Sequence, residues 1–357
     1  MKKILIGGAG GAPSEGVICS LLQSEDKEEI IGIGSEPFDL AMSRAARKYV
    51  VPYADAPEYK ENLLKIIRKE KPDMIHFQND LEVYHASLIC EDIRALGVKL
   101  FMPKHEVIDT CVNKWKSWNA FCKAGITVPV NQLIRSQADL KKAFSELGDS
   151  EGKIWLRAND IGGGGIGSIP TNDFSMAKAW INRYNGWGNY IAAQMLTKDT
   201  VTWLSIWWKG ELVVAQTRKR TGWAYSNRAV SGVTGVTKVG ITCSDDQVSD
   251  IAIKAIKAVD EMPHGIFGVD MAYDKNGIPN PTEINISRFF TTVLFFTAAG
   301  LNMPVIYKDL ALYNRFPQLK KKIDPLPNGL MWLRAMDREP VLATVEDISS
   351  MIRIKCE

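Results

Sequence analysis

The chain has 357 residues, 46% hydrophobic and 24% charged, and 44 Lys and Arg residues against 41 Asp and Glu leave a formal net charge of +3. These values are those of a soluble globular protein of two or three domains, and they exclude the disordered, collagen-like and membrane-spanning classes. Charge so near balance also argues against nucleic acid or a membrane surface as partner, so any cationic site must be local.

The first hundred residues alternate short apolar runs with amphipathic stretches. Strands are predicted over 3–7, 30–34, 74–77 and 99–102, and helices over 14–24, 58–71 and 82–96. Strand and helix alternating at this rhythm imply βαβ units and a parallel sheet, a Rossmann-like α/β domain with loops open to ligands at the strands' carboxyl ends. From Pro103 the texture changes. Helices are predicted over 105–124 and 136–147, then a strand over 153–157 that runs into a glycine-rich loop and a second strand at 166–169. A helix over 174–184 precedes strands at 190–196, 201–208 and 212–217. A helix over 245–259 is followed by a hairpin, 265–273 and 278–286, folded at Asp274-Lys275-Asn276-Gly277, which has turn chemistry.

The cysteines (Cys19, Cys90, Cys111, Cys122, Cys243, Cys356) form no CxxC pair, and the four histidines lack the spacing of metal ligands. This argues against zinc and against a disulfide framework, as expected of a reduced, cytoplasmic protein. The apolar run after Met1-Lys2-Lys3 is too short for a secretion signal. Trp203, Trp207, Trp208 and Trp223 lie close together, as packing residues or as a stacking platform.

Four local patterns carry chemistry. Gly7 to Gly11 follows a strand and Glu36 follows the next, but the dinucleotide register GxGxxG fails, because Pro13 stands at the sixth position counted from Gly8. Gly162, Gly163, Gly164 and Gly165 form a loop whose amides can turn toward a phosphate; it is no Walker A loop, since a strand and not Gly-Lys-Ser/Thr follows. Folding the hairpin at Asn276 brings Asp270 across from Glu283, with Asn285 on the same face. That oxygen set suits Mg²⁺ or Mn²⁺, although a solvated Glu-x-Asn is the alternative, and Pro279 and Pro281 mark the returning strand as an edge or bulged one. Arg288 can neutralise a transferring phosphoryl group or form a salt bridge to Asp270 or Glu283. Arg218-Lys219-Arg220, at a strand end, can hold an anion or face solvent.

The order of these pieces resembles the ATP-grasp superfamily, and within it the carbamoyl-phosphate-synthetase large-subunit module with its preceding domain. The resemblance covers residues 3–316. It implies a Rossmann-like pre-ATP-grasp domain (1–104), then an α+β clamp of two subdomains (105–188 and 189–316), with 317–357 as an extension. It implies that Lys114, Arg157 and the loop Gly162 to Gly165 meet the phosphates of ATP. Gln194, Met195 and Leu196 would line the adenine hinge, Asp270, Glu283 and Asn285 would bind the metal, and Arg288 and Arg218 would assist catalysis. Ser231-Gly232 resembles the loop facing the acceptor. Asn113 stands where an aspartate usually precedes the lysine, Thr200 falls near where the family commonly has an acid that binds ribose, and Arg288 is displaced by one residue. The implied activity is ATP-dependent joining of a small carboxylate to an amine or ammonia through an acylphosphate, with a homodimer as the default assembly. An NAD-dependent oxidoreductase and a non-catalytic ATP-binding module are the alternatives.

Overall fold

Ile4, Leu5, Ile6, Ile31 and Ile33 are buried on both faces of a six-stranded parallel sheet, which explains their unbroken apolar runs. Its order is Ile352–Arg353, Arg47–Val50, Glu29–Gly34, Lys3–Ile6, Met74–His76 and Lys99–Leu100. The computed structural model describes residues 1–160, 167–233, 235–334 and 352–353. Helix Tyr59–Glu70 turns Leu63, Ile66 and Ile67 into the core and ends at Lys71, in the left-handed region. Strand Arg47–Val50 gave no sequence signal because only Tyr49 of its four side chains is buried.

Two expected helices are each broken. The 82–96 helix begins earlier, at Asp80, capped by Asn79, and divides at Ile89 into Asp80–Leu88 and Cys90–Ala95. The 105–124 helix divides at Asn113, whose extended backbone ends His105–Val112. The Asn113 side chain then accepts from the Lys116 N–H at 2.9 Å and caps Lys114–Lys123. Lys114 thereby opens a helix instead of lying in the middle of one.

The larger sheet is antiparallel, in the order Pro279–Ile286, Gly265–Tyr273, Thr200–Trp208, Glu211–Trp223, Thr237–Cys243 and Met331–Leu333. Pro279–Ile286 is an edge strand, and its register shifts between Asp270 and Met271 of its partner, as its prolines predicted. The strand expected to stop at Thr217 continues to Trp223, so Arg218-Lys219-Arg220 lies inside a strand and not at its end. Its alternation separates the three: Arg218 and Arg220 share one face, while Lys219 is exposed on the other.

A third sheet joins Asn131–Ile134, Tyr190–Ala193, Ile154–Ala158 and Ile169–Thr171. Beneath helices Gln137–Leu147 and Phe174–Arg183 it has its own core, drawn from Ile134 to Ala192. The other two cores each mix residues of the parallel sheet with residues of the larger antiparallel one. Helices Val293–Ala298 and Met303–Tyr313 seal that union, and the Tyr307 hydroxyl donates to the Phe101 carbonyl. No helix among the described residues is long and apolar enough to cross a membrane.

Candidate nucleotide and metal site

Arg218, Thr202, Asp270 and Glu283 stand opposite one another on four adjacent strands. Opposed residues project from the same face of a sheet, so the register alone builds a polar row. The row is hydrogen-bonded. The buried Arg218 guanidinium donates to Thr202 Oγ1 at 3.1 Å, and the Thr202 hydroxyl donates to Asp270 Oδ1. Arg220 reaches the same carboxylate at 3.3 Å, and Asn285 Nδ2 donates to its other oxygen at 3.1 Å. Burial by itself would raise the Asp270 pKa; Arg220, the Thr202 hydroxyl, Arg218 and the Asn285 amide outweigh it and hold the carboxyl below its ordinary value. Asp270 is therefore an anion in the fold.

Two cations arrive from helix Lys114–Lys123 and strand Ile154–Ala158. Lys114 Nζ lies 3.9 Å from Glu283 Oε2, and the helix start that places it is tied to the end of strand Ile154–Ala158: the Lys114 N–H donates to the Asn159 carbonyl at 3.1 Å and the Trp115 N–H to Asn159 Oδ1 at 2.7 Å. Arg157, on that strand, donates through Nη1 to the Thr282 carbonyl at 3.1 Å, while its buried Nε has no partner among the described residues. Burial pulls the pKa of both cations down, against the pull of Glu283. A buried guanidinium with a spare donor beside a metal-type oxygen set is suited to an anion such as a phosphate.

Arg288 is held differently from either expected salt bridge. Its guanidinium grips the Asp80 carboxylate through both Nε and Nη2, the latter at 2.9 Å, and also donates to Asn285 Oδ1. Asp80 belongs to the parallel-sheet domain, and sequence reasoning missed it; Asn79-Asp80 at a strand's carboxyl end, opening a helix, was the available signal. Burial opposes the Arg288 charge, and Asp80 more than restores it, leaving the pKa raised. Arg218, expected in the chemistry itself, is instead enclosed, with Nη1 on Thr292 Oγ1 and its plane 4.3 Å from the Phe290 ring. It reaches the row through Thr202 and not by exposure to the cleft.

Gln194 leaves the small sheet and is fixed by a reciprocal pair with Val130, N–H to carbonyl and N–H to side-chain oxygen, both 3.1 Å. Met195 and Leu196 follow, half-buried, before the Thr197 N–H meets the Tyr273 carbonyl of the larger sheet at 2.9 Å. This segment links the small sheet to the larger one. Gly162, Gly163, Gly164 and Gly165 lie outside the described residues. Three of the four clustered tryptophans serve packing: Trp203 and Trp207 are buried, with indole N–H groups on Ser249 and Ser205, and Trp223 lies under Arg220 at 4.2 Å.

The first glycine turn is fully occupied. Gly7, Ala9 and Gly11 donate to backbone carbonyls, Gly10 donates to Glu15 Oε1 at 2.9 Å, and the Gly8 N–H meets the Glu82 carboxyl. A Cβ on Gly7 would stand 2.3 Å from Glu82 Oε2. The turn's glycines thus admit the protein's own carboxyl groups where a dinucleotide would need free amides.

No protein-family model and no curated protein matches the sequence. Solved structures do match. The biotin carboxylase domain of Hydrogenobacter thermophilus 2-oxoglutarate carboxylase, in complex with MgADP, ADP and bicarbonate, aligns at TM-score 0.70 and 17% identity, over 92% of this chain and 73% of that one. Carboxyaminoimidazole ribonucleotide synthase from Aspergillus clavatus, complexed with ATP, aligns at 0.69 and 16%, over 93% and 81%. L-amino acid ligase from Bacillus licheniformis aligns at 0.63 and 13%, over 88% and 74%. At such identities the likeness is one of fold, and the fold is that of ATP-grasp enzymes, as the order of motifs implied.

Proposed function

We propose that this chain, which has the ATP-grasp fold, is an ATP-dependent ligase that activates a small carboxylate as an acylphosphate and joins it to an amine or ammonia. The observation that carries this reading is the convergence of Asp270, Glu283 and Asn285 on one sheet face with Lys114 and Arg157 reaching it from the opposite subdomain. Oxygen ligands without histidine or cysteine suit Mg²⁺ or Mn²⁺, and the spare donor of Arg157 suits a phosphate oxygen. Mg²⁺ bound there would screen the charge of the phosphates of ATP.

The residues then have separable tasks. Lys114 and Arg157 hold phosphate oxygens, and Gln194, Met195 and Leu196 border the adenine. A substrate carboxylate oxygen attacks the γ-phosphorus; the bond to the departing ADP oxygen breaks, and the charge spread over the phosphoryl oxygens is met by fixed cations. The amine nitrogen next attacks the acyl carbon, phosphate leaves, and the nitrogen loses a proton. Arg288 is placed to counter charge on the departing phosphate, with Asp80 orienting its guanidinium. Positioning and charge suffice for this chemistry, which needs no covalent protein nucleophile.

The test incubates purified protein and Mg²⁺-ATP with a panel of carboxylates and amines, and with hydroxylamine to trap an acylphosphate as hydroxamate. ADP and hydroxamate above the level of a Glu283→Ala control support the reading. ATP binding with neither product would identify a non-catalytic ATP-binding module.

A further inference from the structure

A second cavity, of about 280 Å³, lies at the far end of the larger sheet. Trp208 lines it, six residues beyond Thr202 on the same strand, so it is about 20 Å from the metal row at the usual rise of an extended chain. Its aromatic wall is Phe101, Trp208 and His264: Phe101 meets Trp208 edge-on at 5.0 Å, and His264 sits 4.6 Å and 5.0 Å from the two rings. Lys99, on the outermost strand of the parallel sheet, and Arg94, on the helix before it, also line it, with Val98, Leu100 and Ala311, and the lining contains no carboxylate.

The polar groups here are donors. Lys99 Nζ reaches the Leu312 carbonyl at 3.2 Å and pairs with no acid among the described residues. Arg94 spends one Nη on Glu91 of its own helix. Lys209 stands over the Trp208 ring at 5.7 Å, and its backbone N–H donates to His264 Nδ1 at 3.3 Å. Burial, with Lys209 and Arg94 nearby, pushes the His264 pKa down to about 4, so the ring is neutral at physiological pH. A neutral imidazole that accepts at Nδ1 carries its proton on Nε2, and that N–H has no protein partner among the described residues.

We propose that this cavity is a second small-molecule site, which takes a planar aromatic carboxylate. The ring lies against Trp208, which Phe101 backs edge-on, and the carboxylate meets Lys99, Arg94 and the His264 Nε2–H. Cations beside aromatic rings with no competing acid fit that combination, because a neutral aromatic would leave the cations without an anion and a small inorganic anion would leave Trp208 uncovered. The volume, just under the ~300 Å³ at which ligand pockets begin, fits one or two fused rings. The inference stands apart from the ligase reading, since none of these residues belongs to the metal row.

The test is binding of 2-naphthoate to the full chain, read by saturation-transfer NMR and calorimetry with Mg²⁺-ATP present to fill the cleft. Binding should persist with ATP, and 2-naphthamide should bind about tenfold more weakly, the worth of one charge-assisted contact. Lys99→Glu, an exposed change, should weaken 2-naphthoate at least as much without moving the melting temperature, and Trp208→Leu should weaken both compounds. Equal affinity for the amide, displacement by ATP, or indifference to Lys99→Glu would each overturn the proposal.

Discussion

Arg288 and Asp80, 208 residues apart in sequence, form a two-bond ion pair that ties the end of strand Pro279–Ile286 to the parallel-sheet domain. Because Arg288 also donates to Asn285, a line of polar contacts runs from Asp80 through Arg288 and Asn285 to Asp270. A long guanidinium side chain has many rotamers, and a carboxylate held through both Nε and Nη2 leaves it one.

Asp80→Asn should therefore impair turnover more than ATP binding. With one charge removed from a half-buried pair, kcat should fall about tenfold with KM for ATP little changed. Combined with Arg288→Gln, it should add almost nothing to the single arginine change, since residues of one network are not additive. Independent, additive losses in this cycle would show that Asp80 acts through something other than Arg288.

Thr202 has no place in the sequence motifs, yet its hydroxyl is the element between Arg218 and Asp270. Thr202→Val keeps the shape and deletes that link, leaving the Arg218 donor buried without its acceptor. With Asp270 in its proposed metal-binding role, the concentration of Mg²⁺ at half-maximal activity should rise about tenfold, the lower end of what losing an outer partner of a metal ligand costs. Thr202→Ser should restore it. A Val variant with unaltered Mg²⁺ dependence would separate Thr202 from the metal ligands.

Glu82 supplies a pH dependence of stability. Burial, opposed by the Gly8 N–H and Asn79, pushes its pKa up to about 8 from an ordinary 4.5. A carboxyl protonated in the fold but ionised in the unfolded chain contributes stability that is complete below 4.5 and is lost as pH rises through 8. His76, pushed down to about 4 by burial, works in the opposite direction, and only below its ordinary 6.5. Between pH 6.5 and 8 the melting temperature should thus fall relative to Glu82→Gln, which has no proton to lose. Parallel melting curves for the two proteins across that window would mean that Glu82 is ionised in the fold.

The occupied glycine turn predicts no nicotinamide nucleotide binding. Calorimetric titration with NAD⁺ or NADH should give no heat under conditions where Mg²⁺-ATP binds. A saturable NAD⁺ isotherm would require Glu82 and Glu15 to vacate the amides of Gly8 and Gly10.

The sequence by itself determined the strands and helices with strong apolar periodicity, the hairpin that sets Asp270 against Glu283, and the order of segments that marks the fold. These depend on neighbours along the chain: alternation, turn residues at 274–277, and caps such as Ser136. Strands Arg47–Val50, Asn131–Ile134 and Thr237–Cys243 were illegible because each buries too few apolar side chains and owes its existence to partners already in place. The tertiary structure alone decided who meets whom at the site. Three adjacent cations read as one basic patch, but strand alternation sends Arg218 into the protein, Arg220 to Asp270 and Lys219 outward. Arg288 finds Asp80 and not Asp270 or Glu283, because the packing of two sheets through shared cores brings a helix start of the first domain to the end of an edge strand of the second. Pairings of that kind depend on register and domain packing, physical facts that local residue pattern does not encode.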